Sequence, residues 1–174
     1  TISRDTSRVA RALKRALIGG VNLAGVNVED VELATVPLTR FQVRNGKARG
    51  GITVRLAPGD PDAVEIRFFD ADGRDIDEST QRKIERLLYR EDYRRAFAAD
   101  IGDIEYPPRS LEFYTSALMD TVDQERLLER AFKVVLDYSF GAASIVMPSV
   151  LAKTGAEVLS INPFASTASA TAAL

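Results

Sequence analysis

The sequence predicts an α/β protein with helices packed on mixed sheets. Helical and strand-like segments alternate along the chain, a buried-strand run (FKVVL) opens a strand–helix–strand unit near the C-terminus, and one breaker cluster (GDIEYPP) divides the chain in two. With 174 residues, 45% of them hydrophobic, a packed core of moderate size is expected.

Residues 6–25, TSRVARALKRALIGGVNLAG, place Val9, Leu13, Ala16, Leu17, Val21 and Ala24 on one face at helical spacing, with Arg8, Arg11, Lys14 and Arg15 around the rest. Thr6 is the expected N-cap and Gly25 the expected stop. Gly19 and Gly20 each cost roughly 1 kcal/mol relative to alanine inside a helix, so they are expected to allow close packing on a sheet. Val26, Val28, Val31 and Leu33 predict a strand, and Pro37 suits the first turn of a helix running to Asn45, ended by Gly46. Residues 51–56 and 63–69 predict two strands, separated by the turn-forming stretch RLAPGDP (55–61); Asp72-Gly73 turns into a short strand over 74–76. Asp77 or Ser79 then caps a polar helix to about Arg90.

Between Ala98 and Pro108 periodicity is lost, which predicts a linker. Beyond it, 110–120 and 123–130 read as helices. The FKVVL run (132–136) reads as a parallel strand buried on both faces, 142–155 as a helix and 156–162 as a strand, giving a βαβ unit of right-handed crossover.

The chain has no cysteine and no histidine, which excludes disulfides, thiol nucleophiles, imidazole or thiolate zinc sites and histidine general bases. Its 23 basic and 25 acidic residues give a net charge of −2, so no global field favours nucleic acid or an anionic membrane; the basic face of the first helix, without interleaved aromatics, reads as solvated. No apolar run approaches the roughly 20 residues of a membrane span, and TISRDTSRV lacks a secretory signal, so a cytoplasmic protein is expected. Both ends look like cuts through a longer polypeptide, which then becomes an expected partner of this segment.

Candidate chemistry is sparse. The strand-to-helix turn over 137–144 (DYSFGAAS) has neither glycine pattern of the nucleotide loops, so a plain connection is preferred. Arg4, Asp5 and Thr6, at the start of the first helix, form a candidate phosphate site; the alternative is a cap formed by Asp5 or Thr6 beside a solvated arginine. The carboxylates Asp60, Asp62, Glu65, Asp70, Asp72, Asp75 and Asp77 lack the regular spacing of a calcium loop, so no metal site is expected here.

Three stretches in this order resemble the α-D-phosphohexomutases, the phosphomannomutase and phosphoglucomutase family. TISRDTSRVARALKRA (1–16) resembles the family's GRDxR motif and following helix, Gly50 to Phe69 runs without a gap along its GGIxxTASHNPxxxNGxKFF stretch, and VVLDYSFGAAS with the residues to Asn162 resembles the opening of its second domain. The resemblance implies two three-layer α/β/α domains with mixed sheets, over 1–100 and 107–174, both truncated.

The departures bear on function. The gapless register places Ala57 where the family carries its phosphorylated serine, with Pro58 and Gly59 replacing the histidine and asparagine beside it. Alanine offers no oxygen to phosphorylate, so no catalytic residue is assigned. Ser3 replaces the glycine of the first motif and Ser7 its second arginine. The resemblance therefore implies a non-catalytic module, structural, oligomerising or regulatory, of a larger sugar-nucleotide enzyme such as a mannose-1-phosphate guanylyltransferase. The alternatives are part of an active phosphomannomutase or phosphoglucomutase, with Mg²⁺ bound elsewhere in the full-length protein, and a sugar-phosphate sensor. A homodimer or strand exchange is also expected.

Overall fold

The computed structural model describes residues 1–166. Its central element is a short strand, β1 (Ile2–Arg4), followed by helix α1 (Arg8–Leu23), strand β2 (Val28–Leu33), helix α2 (Val36–Asn45), the hairpin β3 (Gly51–Ala57) and β4 (Asp60–Phe69), and helix α3 (Glu78–Arg90). A 3₁₀ turn (Ala98–Asp100) leads to strand β5 (Ile104–Glu105). Helices α4 (Ser110–Met119) and α5 (Gln124–Arg130), strand β6 (Lys133–Asp137), helix α6 (Ala143–Leu151) and strand β7 (Glu157–Ile161) complete the order.

The first sheet has the order β4-β3-β1-β2-β5, parallel except for the β3/β4 hairpin. The crossovers β1-α1-β2 and β2-α2-β3 run in opposite directions across the sheet, so right-handed connection puts α1 and α2 on opposite faces. Strand alternation agrees. Ile2 packs with Ile18 of α1 and Val28 of β2, whereas Ser3 points the other way and accepts a hydrogen bond from Thr39 of α2 (2.7 Å). Each of the three buried aliphatics contributes about 1.5–3 kcal/mol. Ser3 also donates to Thr53 Oγ1 (2.9 Å), and all three hydroxyl residues are almost fully buried. On that second face Ala34, Leu38 and Val146 form a cluster with Val31, Leu111 and Tyr114, which brings α4 and α6 onto α2.

Several expectations need correction. The buried stripe of α1 is Ala10, Lys14, Ile18 and Asn22, a perfect i, i+4 ladder that includes two polar residues, while Val9 is 39% exposed. Lys14 is thus not part of a solvated face. Ser7, not Thr6, is the N-cap, its Oγ accepting from Ala10 N at 3.1 Å. A Cβ added at Gly19 or Gly20 would meet no atom within 4 Å, so neither serves close packing. The 74–76 segment makes one bridge, Phe69 to Asp75, rather than a strand.

Part of the expected 98–108 linker is the edge strand β5, parallel to β2 through Val28↔Ile104 and Glu29↔Glu105. Asn22 holds it there, donating to Asp103 O at 3.2 Å and accepting from Gly102 N at 3.0 Å. Only glycine fits at 102, because a Cβ would lie 2.1 Å from Val26 O. The second sheet contains β6 and β7 alone, paired in parallel from Lys133↔Glu157 to Asp137↔Ile161. Its strand β6 is not buried on both faces: Val135 is 66% exposed, and its cross-strand partner Leu159 63%. FKVVL has the composition of a doubly covered strand, but among the described residues nothing covers this face.

Candidate active-site crevice

In a sheet of this order the chain leaves β1 toward β2 and leaves β3 toward β4, so the crevice at the ends of β1 and β3 is the topological switch point where α/β folds bind ligands. Asp5 occupies it. Its backbone N–H donates to Val54 O (3.0 Å), its Oδ2 accepts from Leu56 N (2.8 Å), and its Oδ1 accepts from Ser7 N (2.9 Å). One carboxylate therefore ties the end of β1 to β3 and to the first turn of α1. Thr6 beside it is buried.

Arg4 projects to the α1 face. Its Nη1 donates to Asp5 O (2.8 Å), its Nη2 lies 3.6 Å from Glu32 Oε2, and its Nε is buried without a hydrogen-bond partner. Of the three residues proposed from sequence for a phosphate, Asp5 and Thr6 remain at the helix start. The Arg4 guanidinium turns instead toward the space between α1 and β2.

The other side of the crevice is the β3/β4 hairpin. The stretch RLAPGDP is not an open loop: residues 55–57 continue β3, and Ala57 pairs with Asp60 across Pro58-Gly59. Proline fixes φ near −65° and Gly59 has φ +77°, the combination a type II turn requires. The register then shifts between Leu56 and Ala57, leaving residues 61–63 as a bulge on β4 that accommodates Pro61, which has no N–H to donate. Beside the turn, Glu65 accepts from Arg55 Nε and from Arg67 Nε (2.8 Å). Partial burial alone would raise the Glu65 pKa, but the hydrogen bonds and charges of the two arginines outweigh it and hold the carboxyl below its ordinary value.

No serine, threonine or tyrosine occurs between Thr53 and Ser79. Thr53 itself is buried in the Ser3–Thr39 hydrogen-bond chain. The turn over 137–144 connects β6 to α6, with Asp137 Oδ1 accepting from Ser139 N (2.8 Å) and Asn162 Nδ2 (2.9 Å). Among the described residues no group of three or more acidic side chains could hold a metal ion, and no helix is long and apolar enough to cross a membrane. Sequence reasoning missed the buried Lys14–Asp30 pair and the Ser3–Thr39–Thr53 chain. Both involve residues far apart in sequence, and only the sheet order reveals them.

A family model described as "Phosphoglucomutase/phosphomannomutase, alpha/beta/alpha domain I" matches residues 1–95, more than half of the chain. The chain belongs to this family. A phosphoglucomutase/phosphomannomutase of Thermococcus kodakarensis is 30% identical over 161 residues, covering 92% of this chain and 35% of the relative. A phosphoglucosamine mutase of Dictyoglomus thermophilum is 30% identical over 163 residues, with coverage of 92% and 35%. The chain thus spans about a third of the length of these mutases. A crystal structure of a phosphoglucomutase/phosphomannomutase family protein from Burkholderia thailandensis superposes with a TM-score of 0.75 over 97% of this chain and 36% of that one; at 18% identity it shows the shared fold. In family terms, residues 1–95 are an α/β/α domain I built on β1, and the hairpin carrying Ala57 is part of it.

Proposed function

We propose that this chain is a phosphohexomutase scaffold that does not itself accept a phosphoryl group. The observation that carries this reading is the hairpin: the position equivalent by resemblance to the family's phosphorylated serine is Ala57, at the end of β3 in a two-residue turn, and no hydroxyl follows it before Ser79. Phosphoryl transfer through a covalent enzyme intermediate requires an acceptor atom at the crevice, and positioning or electrostatics elsewhere cannot supply one. What remains is the framework, in which Asp5 ties the end of β1 to β3 and to the first turn of α1 by its two accepted N–H bonds.

The chain would then serve as a structural, oligomerising or regulatory part of a larger protein. In that setting we read residues from 107 onward as the opening of a second domain, and the exposed Val135–Leu159 face as the surface on which more of the polypeptide packs. Any Mg²⁺ would be held outside the described residues. The relatives named above are mutases, which supports a mutase-like parent; a mannose-1-phosphate guanylyltransferase parent draws no support from them. The same relatives favour one second reading, that of an active mutase with an altered loop.

Assay of the full-length protein with a hexose 1-phosphate and catalytic hexose 1,6-bisphosphate separates the two. The scaffold reading expects no isomerisation and no phosphate on residues 55–62 by intact-mass and peptide mapping. Turnover accompanied by an acyl phosphate on Asp60 or Asp62, the remaining oxygen nucleophiles of the turn, would establish the active mutase instead.

A further inference from the structure

Helix α1 covers β1 and β3 on its face of the sheet and leaves the strip formed by β2 and β5 beside it open. The resulting cavity, about 490 Å³, is lined by Arg4, Arg11, Lys14, Arg15, Asp30 and Glu32, with Ile18, Ile104 and Tyr106 as its less polar wall. Four cations face two carboxylates, a formal excess of two positive charges. That volume lies within the range of small-ligand sites, about 300–1,000 Å³.

The charges are unequally committed. Lys14 and Asp30 neutralise each other, with Nζ 2.6 and 2.5 Å from the two carboxylate oxygens and both side chains 3% exposed. Glu32 stands 3.6 Å from Arg4 and 3.5 Å from Lys14, beyond the roughly 2.7–2.9 Å of a charge-assisted hydrogen bond. It is half exposed and has φ +57°, a left-handed conformation that costs a non-glycine residue of this kind free energy and occurs at binding sites and switches. Arg4 Nε is buried and unpartnered. The side chains of Arg11 and Arg15, exposed on the cavity rim, have no ionic or hydrogen-bonded partner among the described residues.

We infer that this cavity binds a phosphoryl dianion, free or as the ester of a small molecule, through Arg4, Arg11 and Arg15, and that Glu32 is the internal counter-charge it displaces. The excess of two positive charges matches a dianion, and guanidinium forks suit tetrahedral oxyanions. Ile18, Ile104 and Tyr106 would contact the organic part of an ester. The site lies on the α1 face, apart from the β1/β3 crevice, and does not depend on whether the hairpin is phosphorylated.

Calorimetry at low salt with inorganic phosphate, glycerol 3-phosphate and glycerol tests it. Saturable one-to-one binding is expected for both phosphates and none for glycerol, with the ester tighter than free phosphate if the apolar wall is used. Arg11→Glu/Arg15→Glu, on the exposed rim, lowers the charge of the cavity by four units and should weaken binding at least roughly tenfold, and Glu32→Gln, which raises it by one unit, should tighten binding by a smaller factor of about two to five. Arg86→Glu, on the exposed face of α3, should change nothing. Phosphate binding that is indifferent to the double substitution, or no saturable binding in wild type and Glu32→Gln alike, would overturn the assignment. So would a groove that takes an acidic peptide but not phosphate.

Discussion

The buried Lys14–Asp30 pair makes a quantitative prediction. Lys14→Met keeps a side chain of similar length and removes the charge, leaving a carboxylate at 3% exposure with the Glu32 N–H still donating to it at 2.8 Å. Breaking a buried pair by removing one partner costs about 3–5 kcal/mol, a large share of the roughly 5–15 kcal/mol that holds a domain folded. With a urea dependence near 2 kcal/mol/M, typical of small proteins, the unfolding midpoint should fall by about 2 M. The cost is that of a stranded charge, so neutralising the partner should remove most of it: Lys14→Met/Asp30→Asn keeps an acceptor for the Glu32 N–H and should recover most of the loss, a coupling of at least about 2 kcal/mol. Urea titrations of the four proteins followed by circular dichroism measure the cycle. The loss should persist from 0.1 to 1 M NaCl, because a pair this buried is weakly screened. A single substitution costing under about 1 kcal/mol, or a double variant that loses the full sum, would refute the reasoning.

Other expectations are simpler. Gly20→Ala, in an open helical site with no atom within 4 Å of the new methyl, should raise stability by about 0.4–1 kcal/mol; a loss would mean that α1 is more closely packed than described. Removing the N-cap in Ser7→Ala should cost about 1 kcal/mol in the same urea assay. Because the folded-state pKa of Glu65 is lowered, its contribution is fully present above the ordinary carboxylate pKa and is lost as pH falls through the lowered value. Glu65→Gln should therefore be less stable than wild type at neutral pH, with the gap closing in acid; a gap that widens on acidification would reverse the assignment.

The legible parts of the sequence were those with local signals. Asp77 as N-cap of α3, Pro37 in the first turn of α2, Gly25 at φ +79° after α1 and the Pro58-Gly59 turn each rest on chemistry within a few residues. The misread parts depended on distant partners. A hydrophobic-periodicity argument must place Lys14 and Asn22 in solvent, because the burial of Lys14 is made tolerable by Asp30 and that of Asn22 by the Val26 and Asp103 carbonyls, partners that lie outside the helix itself. The hairpin lies where the sequence places it but its turn is tighter, since Asp60, a poor strand former, still pairs with Ala57 and a bulge accommodates Pro61. Strand β5 was read as linker because two residues carry no periodicity; its pairing to β2 is what makes it a strand.

That short strand also sets how the molecule can bend. Asn22 grips the backbone on both sides of the Gly102–Asp103 peptide, and Asp103 N donates to Asn27 Oδ1 at 3.0 Å, so the polypeptide is clamped to α1 and β2 up to Glu105. Movement of α4 through β7 relative to the first sheet must then be absorbed by residues 106–109, two of them prolines and one, Arg109, held at φ +60°. Four residues so restricted act as a stiff pivot rather than a tether, and with Leu111, Tyr114 and Val146 packed against Ala34 and Leu38 they hold α4 and α6 in one orientation on α2.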